Sequence, residues 1–329
     1  MRAWLIDQLE GVEKLRLAEV PDAVPSAGQV VLQVGYAALN PADAYLAKGE
    51  YPARPPMPHV LGRDGVGTVI GVGAGVDAGL VGRKMAVLRG PVGVSKWGTF
   101  AELVAVPAES LVDSPQGWTD QQAAAATLVY LTAYQALTAW DDLPKRSTIL
   151  ISGASGGVGV AATQLGKAMG HTLAGLSRSE EKREVLKSLG MDLALDPAAP
   201  EWRKQLQAQL GDRRVDLVID NIGGALFPEL IATLGDRGRV SVVGRLAGPV
   251  PEFNTSSILF RRIRIGGIAV GAYTNSEGRT AWGEVLSLLM RTNAKPLIDN
   301  VFAFDQLPAA FERLKDGPMG KVVLQVAGK

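Results

Sequence analysis

Residues Ile149 to Gly159 read Ile-Leu-Ile-Ser-Gly-Ala-Ser-Gly-Gly-Val-Gly, and Val160 to Met169 continue in a helical pattern. An apolar, β-branched run that breaks into small residues and then into a helix predicts a strand, a tight turn and a helix N-terminus. Small residues let the backbone approach a diphosphate closely, and the free N–H groups and positive dipole end of the helix favour an anion there. The stretch therefore predicts a dinucleotide site. Two spacings overlap in it: Ala154, Gly156 and Gly159 fit G-x-G-x-x-G with its first glycine replaced, while Gly153, Gly157 and Gly159 fit G-x-x-x-G-x-G.

Downstream, strand-like and helix-like segments alternate: His171–Leu176, Glu180–Leu189, Leu193–Leu195, Trp202–Leu210, Val215–Ile219, Ala225–Leu234, Gly238–Val243 and Ile263–Ala269. Such alternation predicts right-handed βαβ units and a doubly wound parallel sheet, an α/β fold. Upstream, residues 2–120 hold short β-branched segments such as Gln29–Ala38, Gly65–Val72 and Lys84–Val87, punctuated by Gly and Pro. They predict a strand-rich, barrel-like domain with long loops. The character changes at Thr119-Asp120, which reads as a helix cap. A helix from about Ser276 to Arg291 and the segments Leu297–Phe304 and Lys321–Val326 are expected to return to the first domain, giving residues 1–122 with 268–329 as one domain and 123–267 as the other.

The second strand of a dinucleotide fold ordinarily ends in Asp or Glu, about 20 residues after the glycine turn, to bind the ribose 2′-hydroxyl. Here it ends Gly175-Leu176-Ser177-Arg178-Ser179, without a carboxylate. Arg178 offers a forked cation for a 2′-phosphate, Ser177 and Ser179 offer hydroxyls, and Lys182 or Arg183 adds charge from the next helix. The expected cofactor is NADP(H). Lys182 and Arg183 fit a solvated helix start equally well, with Glu180 and Glu181 on its dipole. Asp220-Asn221-Ile222-Gly223-Gly224 and Gly244 each follow a strand, where ligands bind in such sheets. Asn221 and Gly244 are candidate ribose and nicotinamide contacts; Gly223 and Gly224 fit a tight turn as well.

With 329 residues, 47% apolar and 20% charged, the chain is long enough for two cores, and its net charge of +1 provides no basic field for nucleic acid or a membrane surface. It has no cysteine, which excludes disulfides and thiolate chemistry, and only two histidines, His59 and His171, too dispersed for a His/Cys zinc site. No metal is expected. No apolar run is long enough to span a bilayer and Met1-Arg2-Ala3-Trp4 opens without a signal-peptide pattern, so the expectation is a cytoplasmic protein. Its expected partners are small molecules or copies of itself.

Asn40-Pro41-Ala42-Asp43-Ala44-Tyr45 with Gly49 to Tyr51 behind it, Leu131-Thr132-Ala133-Tyr134, Ala154 to Gly159, Asp220 to Gly224, and Gly320-Lys321-Val322-Val323-Leu324 follow one another across nearly the whole chain. In that combination the sequence resembles the zinc-independent quinone oxidoreductase branch of the medium-chain dehydrogenase/reductase superfamily. The resemblance implies a GroES-like barrel domain built from both chain ends, a central Rossmann domain, a substrate cleft between them, and a homodimer joined near Ile263–Ala269. It places Asn40, Tyr45 and Tyr51 at the substrate, with Tyr51 the first candidate hydrogen-bond donor and Asn40 the second, and Thr132 at the nicotinamide amide. It assigns Ala154, Ser155, Gly156, Gly157, Val158 and Gly159 to the diphosphate. Zinc-dependent relatives carry a cysteine ligand near Asn40 and Gly-His-Glu where this chain has Gly62-Arg63-Asp64; an Arg63–Asp64 ion pair is the expected scaffold in place of a metal. The G-x-x-x-G-x-G spacing belongs to short-chain dehydrogenases, which need a Tyr with Lys four residues later; no tyrosine here has one.

The expected activity is hydride transfer from NADPH to a quinone or an α,β-unsaturated carbonyl compound. Such a reaction needs held geometry, a dry site and hydrogen-bond donors for the oxygen that gains charge. Several of these residues have a second reading. Tyr45 fits a ring packed in the barrel, Tyr51 an exposed position in a Pro-rich loop, Asn40 a turn fixed before Pro41, and Thr132 a core position. Two other functions stay open. An enoyl-CoA-type reductase would want a basic groove, to which Arg261, Arg262 and Arg264 are candidate contributors, although on an alternating strand they read equally as surface charges. A non-catalytic NADPH-binding structural or regulatory protein would use the same dinucleotide fold.

Overall fold

The computed structural model describes residues 1–88, 90–250 and 252–327. The chain divides into two compact units: Met1–Leu128 with Tyr273–Trp282 and Lys295–Lys329, and Val129–Ala272 with Gly283–Ala294.

The second unit is a Rossmann domain. Its six parallel strands are β1 (Thr148–Ile151), β2 (Thr172–Leu176), β3 (Leu193–Leu195), β4 (Val215–Asp220), β5 (Leu234–Val242) and β6 (Arg264–Gly267), in the order β3-β2-β1-β4-β5-β6. Helices α1 (Gly157–Ala168), α2 (Glu180–Ser188), α3 (Trp202–Leu210) and α4 (Leu226–Thr233) connect them. Leu150, Ala174 and Val218 from the strands pack with Trp202, Leu206, Phe227 and Leu230 from the helices in one buried cluster. The strand order reverses between β1 and β4, so the loops after these two strands diverge there and leave the crevice where such sheets bind ligands. One further helix, α5 (Ser256–Arg261), precedes β6. At six residues it is too short for its periodicity to show in the sequence.

The first unit is a GroES-like barrel. One sheet runs Ile298–Ala303, Lys321–Gln325, Gln29–Ala38, Asp64–Val72, Lys84–Val87 and Leu111–Asp113, with Leu103–Pro107 also paired to Gln29–Ala38. Arg2–Ile6, between Arg16–Glu19 and His59–Val60, forms a second sheet of three strands. Lys321–Gln325 joins the first sheet because Val323 pairs with Ala38, which in turn pairs with Asp64 on its other side. Leu32, Leu39, Leu61, Phe100 and Phe311 fill the core, and the Phe100 and Phe311 rings meet edge to face at 6.0 Å. Pro41–Ala47 forms a helix of seven residues, which the spacing of apolar residues does not announce. What starts it is local: Pro41 at the first helical position, and Asp43 reaching back to the Asn40 N–H at 2.9 Å.

The helix Asn275–Thr292 departs from the expected return to the barrel, since Tyr273–Trp282 group with the barrel unit and Gly283–Ala294 with the Rossmann unit. Eighteen residues make a helix of about 27 Å, longer than one core needs. Trp282 anchors its first part, edge to face against Trp118 at 6.4 Å.

Candidate functional site

In the Rossmann unit the site is built at the carboxyl ends of β1, β2, β4 and β5. Ser152 directly follows β1 and is fully buried; its hydroxyl donates to Asp220 Oδ1 at 2.6 Å and accepts from the Asn221 N–H at 2.9 Å. Asp220 also accepts from the N–H groups of Ile222 and Gly223, each at 3.1 Å, and the Asn221 amide donates to the Ser152 carbonyl at 2.8 Å. These bonds lock the loop after β4 to the loop after β1. The sequence reading names Asp220 only as the head of the stretch Asp220–Gly224 and does not name Ser152; a hydroxyl directly after an apolar strand is the available signal.

The turn itself requires its glycines. Gly153 has φ +57°, and α1 begins at Gly157 after Gly156, with no side chain capping its N–H groups. A Cβ on Gly159 would lie 2.5 Å from the Cα, carbonyl carbon and oxygen of Ala154, and one on Gly175 of β2 would lie 2.9 Å from the Ala154 Cβ. Strand, turn and helix are thus packed as closely as backbone permits, which is the fit a diphosphate at a helix N-terminus demands. Asn221 adds an unanswered acceptor, since its Oδ1 is buried without a hydrogen-bond partner. Gly244 donates its N–H to the Asp220 carbonyl at 3.1 Å, and a Cβ there would sit 2.7 Å from the Asn221 carbonyl oxygen.

These contacts bring several predicted residues together. Ala154, Ser155, Gly156, Gly157, Val158 and Gly159 form the turn and helix start, Asn221 and Gly244 lie beside it, and the Ser155 and Ser177 hydroxyls are 3.4 Å apart. The Arg178 side chain is exposed. Ser179 is the N-cap of α2 and accepts from the Lys182 N–H at 3.3 Å, so its hydroxyl serves the helix. Arg183 donates to the carbonyls of Ser177 and Arg178 at 2.8 and 3.0 Å and pairs with Asp196, which makes it a brace for the turn. Thr132 is half-buried on the helix Thr127–Thr138, which is fixed to α1 where the Tyr130 hydroxyl donates to Gln164; burial pushes the Tyr130 phenol well above its ordinary range.

In the barrel unit, Asn40, Asp43, Arg63, Asp64 and Lys321 form a buried network of alternating charge. Arg63 does not pair with Asp64. Its Nε donates to Asp43 Oδ1 at 3.3 Å and its Nη2 to the Ala42 carbonyl at 3.1 Å, while its guanidinium lies 4.2 Å from the Tyr51 ring centroid. Asp64 is held instead by Lys321 Nζ at 3.2 Å, Asn40 Nδ2 at 2.9 Å, the Thr127 hydroxyl at 3.0 Å and the Leu128 N–H at 3.2 Å. Adjacent residues entering a strand project to opposite sides, so the Arg63 guanidinium and the Asp64 carboxylate diverge. Lys321 Nζ also donates to Asn40 Oδ1 at 2.6 Å and the Leu39 carbonyl at 2.8 Å. Both ends of the Asn40 side-chain amide are therefore engaged within the unit. Tyr45, on the helix Pro41–Ala47, and Tyr51 are half-buried. His59 is buried in the smaller sheet, and burial holds its imidazole below the usual range. Among the described residues no three His, Asp or Glu side chains cluster as metal ligands.

Burial pushes the Asp43 carboxyl from its ordinary 3.8 up to about 6, against the pull of Arg63 and the Asn40 N–H. Between these values the folded chain keeps a proton that the unfolded chain has released. This group's contribution to stability therefore grows as pH falls from about 6 to 4 and is a cost above that window. Asp43→Asn removes the dependence: the stability of the native chain relative to this variant is expected to rise by about 3 kcal/mol between neutral pH and pH 4, measured by denaturant unfolding.

The three arginines considered for a basic groove are committed elsewhere. Arg261 donates to the carbonyls of Ile231, Ala232 and Leu234 at the end of α4, Arg262 pairs with Asp236, and Arg264 pairs with Asp142 at 2.6 Å across the Trp140 ring.

Two family descriptions match the chain: an alcohol dehydrogenase GroES-like domain over residues 26–116 and a zinc-binding dehydrogenase over residues 157–291. Acryloyl-coenzyme A reductase of Sulfurisphaera tokodaii is 28% identical, over 94% of this chain and 96% of that protein. Quinone oxidoreductase of Rattus norvegicus is 27% identical, over 98% of this chain and 97% of that protein. The crystal structure of Escherichia coli quinone oxidoreductase complexed with NADPH superposes with a TM-score of 0.89, over 99% of this chain and all of that one, at 23% identity. That last likeness is one of fold.

Proposed function

The chain belongs to the quinone oxidoreductase-like branch of the medium-chain dehydrogenase/reductase superfamily, and from that premise we propose that it is a metal-free, NADPH-dependent reductase of quinones or α,β-unsaturated carbonyl compounds. The observation that carries this reading is the pairing of the barrel's two buried carboxylates with the protein's own cations, Asp43 with Arg63 and Asp64 with Lys321. The role a metal would have in polarising the acceptor then falls to hydrogen-bond donors.

When bound, NADPH supplies the hydride. Ala154 to Gly159 and the N–H groups of α1 would hold the diphosphate, Ser177 and Arg178 would hold the 2′-phosphate with Lys182 adding charge from α2, Asn221 and Gly244 would line the ribose, and Thr132 would meet the nicotinamide amide. The NADPH complex of the E. coli protein supports this choice of cofactor. The Tyr51 hydroxyl donates to the acceptor oxygen as charge develops there. Asn40 follows as second candidate, with its amide oriented by Lys321 and Asp64 so that its role is to shape the site around Tyr51 and Tyr45.

Mixing the protein with NADPH and a naphthoquinone or a simple enone is expected to deplete the reduced-cofactor absorbance. Binding of NADPH without oxidation across a panel of acceptors would favour the non-catalytic reading. The name of the S. tokodaii relative makes acryloyl-CoA a necessary member of that panel; with Arg261, Arg262 and Arg264 committed to internal carbonyls and carboxylates, the CoA thioester is expected to be the poorer substrate. Arg178→Ala is expected to raise the Kd for NADPH about fivefold, the upper value for an exposed charge contact, and to leave that for NADH unchanged. Equal losses for both cofactors would remove Arg178 from the 2′-phosphate. Among the described residues β6 is the edge strand of its sheet, and with Ile265 43% exposed this supports a homodimer. Among the described residues no helix is long and apolar enough to cross a membrane; a cytoplasmic location remains part of the proposal.

A further inference from the structure

The side chain of Tyr51 is seated by a cation. Its loop, between the helix Pro41–Ala47 and the strand His59–Val60, has no regular secondary structure, and its backbone is gathered by Arg54, which donates to the carbonyls of Gly49, Tyr51 and Ala53. The ring is held from the other side, where the Arg63 guanidinium lies 4.2 Å from its centroid. That guanidinium is itself held: Arg63 is about nine-tenths buried, and its Nε and Nη2 donate to Asp43 and the Ala42 carbonyl. Asp43 is in turn fixed by the Asn40 N–H at the start of the helix. A chain of contacts thus runs from the helix cap through Asp43 and Arg63 to one aromatic face.

We propose that Arg63 is the positioning residue for Tyr51, carrying its ring on a guanidinium–aromatic stack so that the phenol hydroxyl of an otherwise irregular loop is held in one place. The proposal rests on the reading of Tyr51 as the donor to the acceptor oxygen. It assigns to the residue after Gly62 a task distinct from the charge balance that Lys321 and Asp64 maintain beside it. A guanidinium suits the task because it is flat, stacks on rings and still donates in its own plane to a carboxylate, whereas an ammonium is a point charge without a stacking face.

Arg63→Lys keeps a cation for Asp43 while removing the flat face, and Tyr51→Phe keeps the ring while removing the hydroxyl. Arg63→Lys is expected to lower kcat for quinone reduction about tenfold while the KM for NADPH changes less than twofold. In the Tyr51→Phe background the same substitution is expected to cost less than twofold, because no hydroxyl is left to misplace. An equal factor in both backgrounds would overturn the proposal. A readout independent of turnover separates this failure from failure of the Tyr51 reading. With 3-fluorotyrosine incorporated throughout and the Tyr51 resonance identified by its loss in Tyr51→Phe, the fluorine line of Tyr51 is expected to shift and broaden in Arg63→Lys. If turnover ignores Tyr51→Phe but the line responds, the donor role fails and the seating stands; an unchanged line overturns the seating itself. Should Arg63→Lys fold poorly, Tyr51→Leu, which leaves the Arg63–Asp43 pair in place, is expected to match Tyr51→Phe in kcat, and recovery of activity by Tyr51→Leu over Tyr51→Phe would count against a seated ring.

Discussion

Lys321→Met is expected to lower the unfolding free energy by about 3–5 kcal/mol, the cost of stripping a buried ion pair of one partner. Lys321 is only 4% exposed, and the three donors of its ammonium have three acceptors, Asn40 Oδ1, the Leu39 carbonyl and Asp64 Oδ2. A methionine fills most of the same volume, so the loss is electrostatic rather than a cavity. It leaves Asp64 fully buried with only the Asn40 amide, the Thr127 hydroxyl and the Leu128 N–H against its charge, and leaves Asn40 Oδ1 without a donor. Denaturant midpoints measure the loss. Lys315→Met supplies the comparison: its pair with Glu312 is 3.9 Å long and solvent-exposed, and its loss should fall below about 0.5 kcal/mol. Losses of similar size for the two lysines would show that burial does not govern the Lys321 pair.

The contrast between what the sequence revealed here and what it hid follows from range. The dinucleotide turn was legible because its causes are local: a β-branched strand, small residues where backbone meets backbone, and a helix within ten positions, all consistent with the strand order β3-β2-β1-β4-β5-β6. The charge network was not. Arg63 and Asp64 are neighbours of opposite charge, and reading them as a pair ignores that consecutive side chains diverge; Arg63 reaches back 20 residues to Asp43. Asp64 finds its cation 257 residues away, because the register Asp64 to Ala38 to Val323 brings the last strand of the chain alongside. One signal was present in the sequence: a lysine beginning the run Lys321-Val322-Val323-Leu324 and an aspartate beginning Asp64-Gly65-Val66 are charges at the heads of buried strands, and each needs a partner from somewhere. What the sequence alone does not supply is the pairing of strands distant in the chain.

Gly159→Val is expected to cost about 3 kcal/mol in stability and to weaken NADPH binding by more than about a hundredfold. The two losses have one cause. At 2.5 Å from three backbone atoms of Ala154, the new Cβ meets nothing that can rotate away, so α1 must lift from the end of β1. That movement is opposed along the helix, where Gly166 packs against Leu173 of β2. Whichever way the strain resolves, the helix N–H groups no longer converge where the turn presents them. A neighbouring glycine separates the fold's demand from the ligand's. Gly156 has φ −75°, and a Cβ there would meet only the Gly153 carbonyl oxygen, at 3.5 Å, so Gly156→Ala should fold with a thermal midpoint close to that of the native chain. Its methyl group nevertheless stands at the half-exposed head of α1, where the diphosphate would lie. Loss of NADPH affinity at unchanged stability in Gly156→Ala, beside loss of both in Gly159→Val, would identify Gly156 as the glycine required by the cofactor and Gly159 as the one required by the fold. Unchanged affinity in Gly156→Ala would move the diphosphate away from this helix.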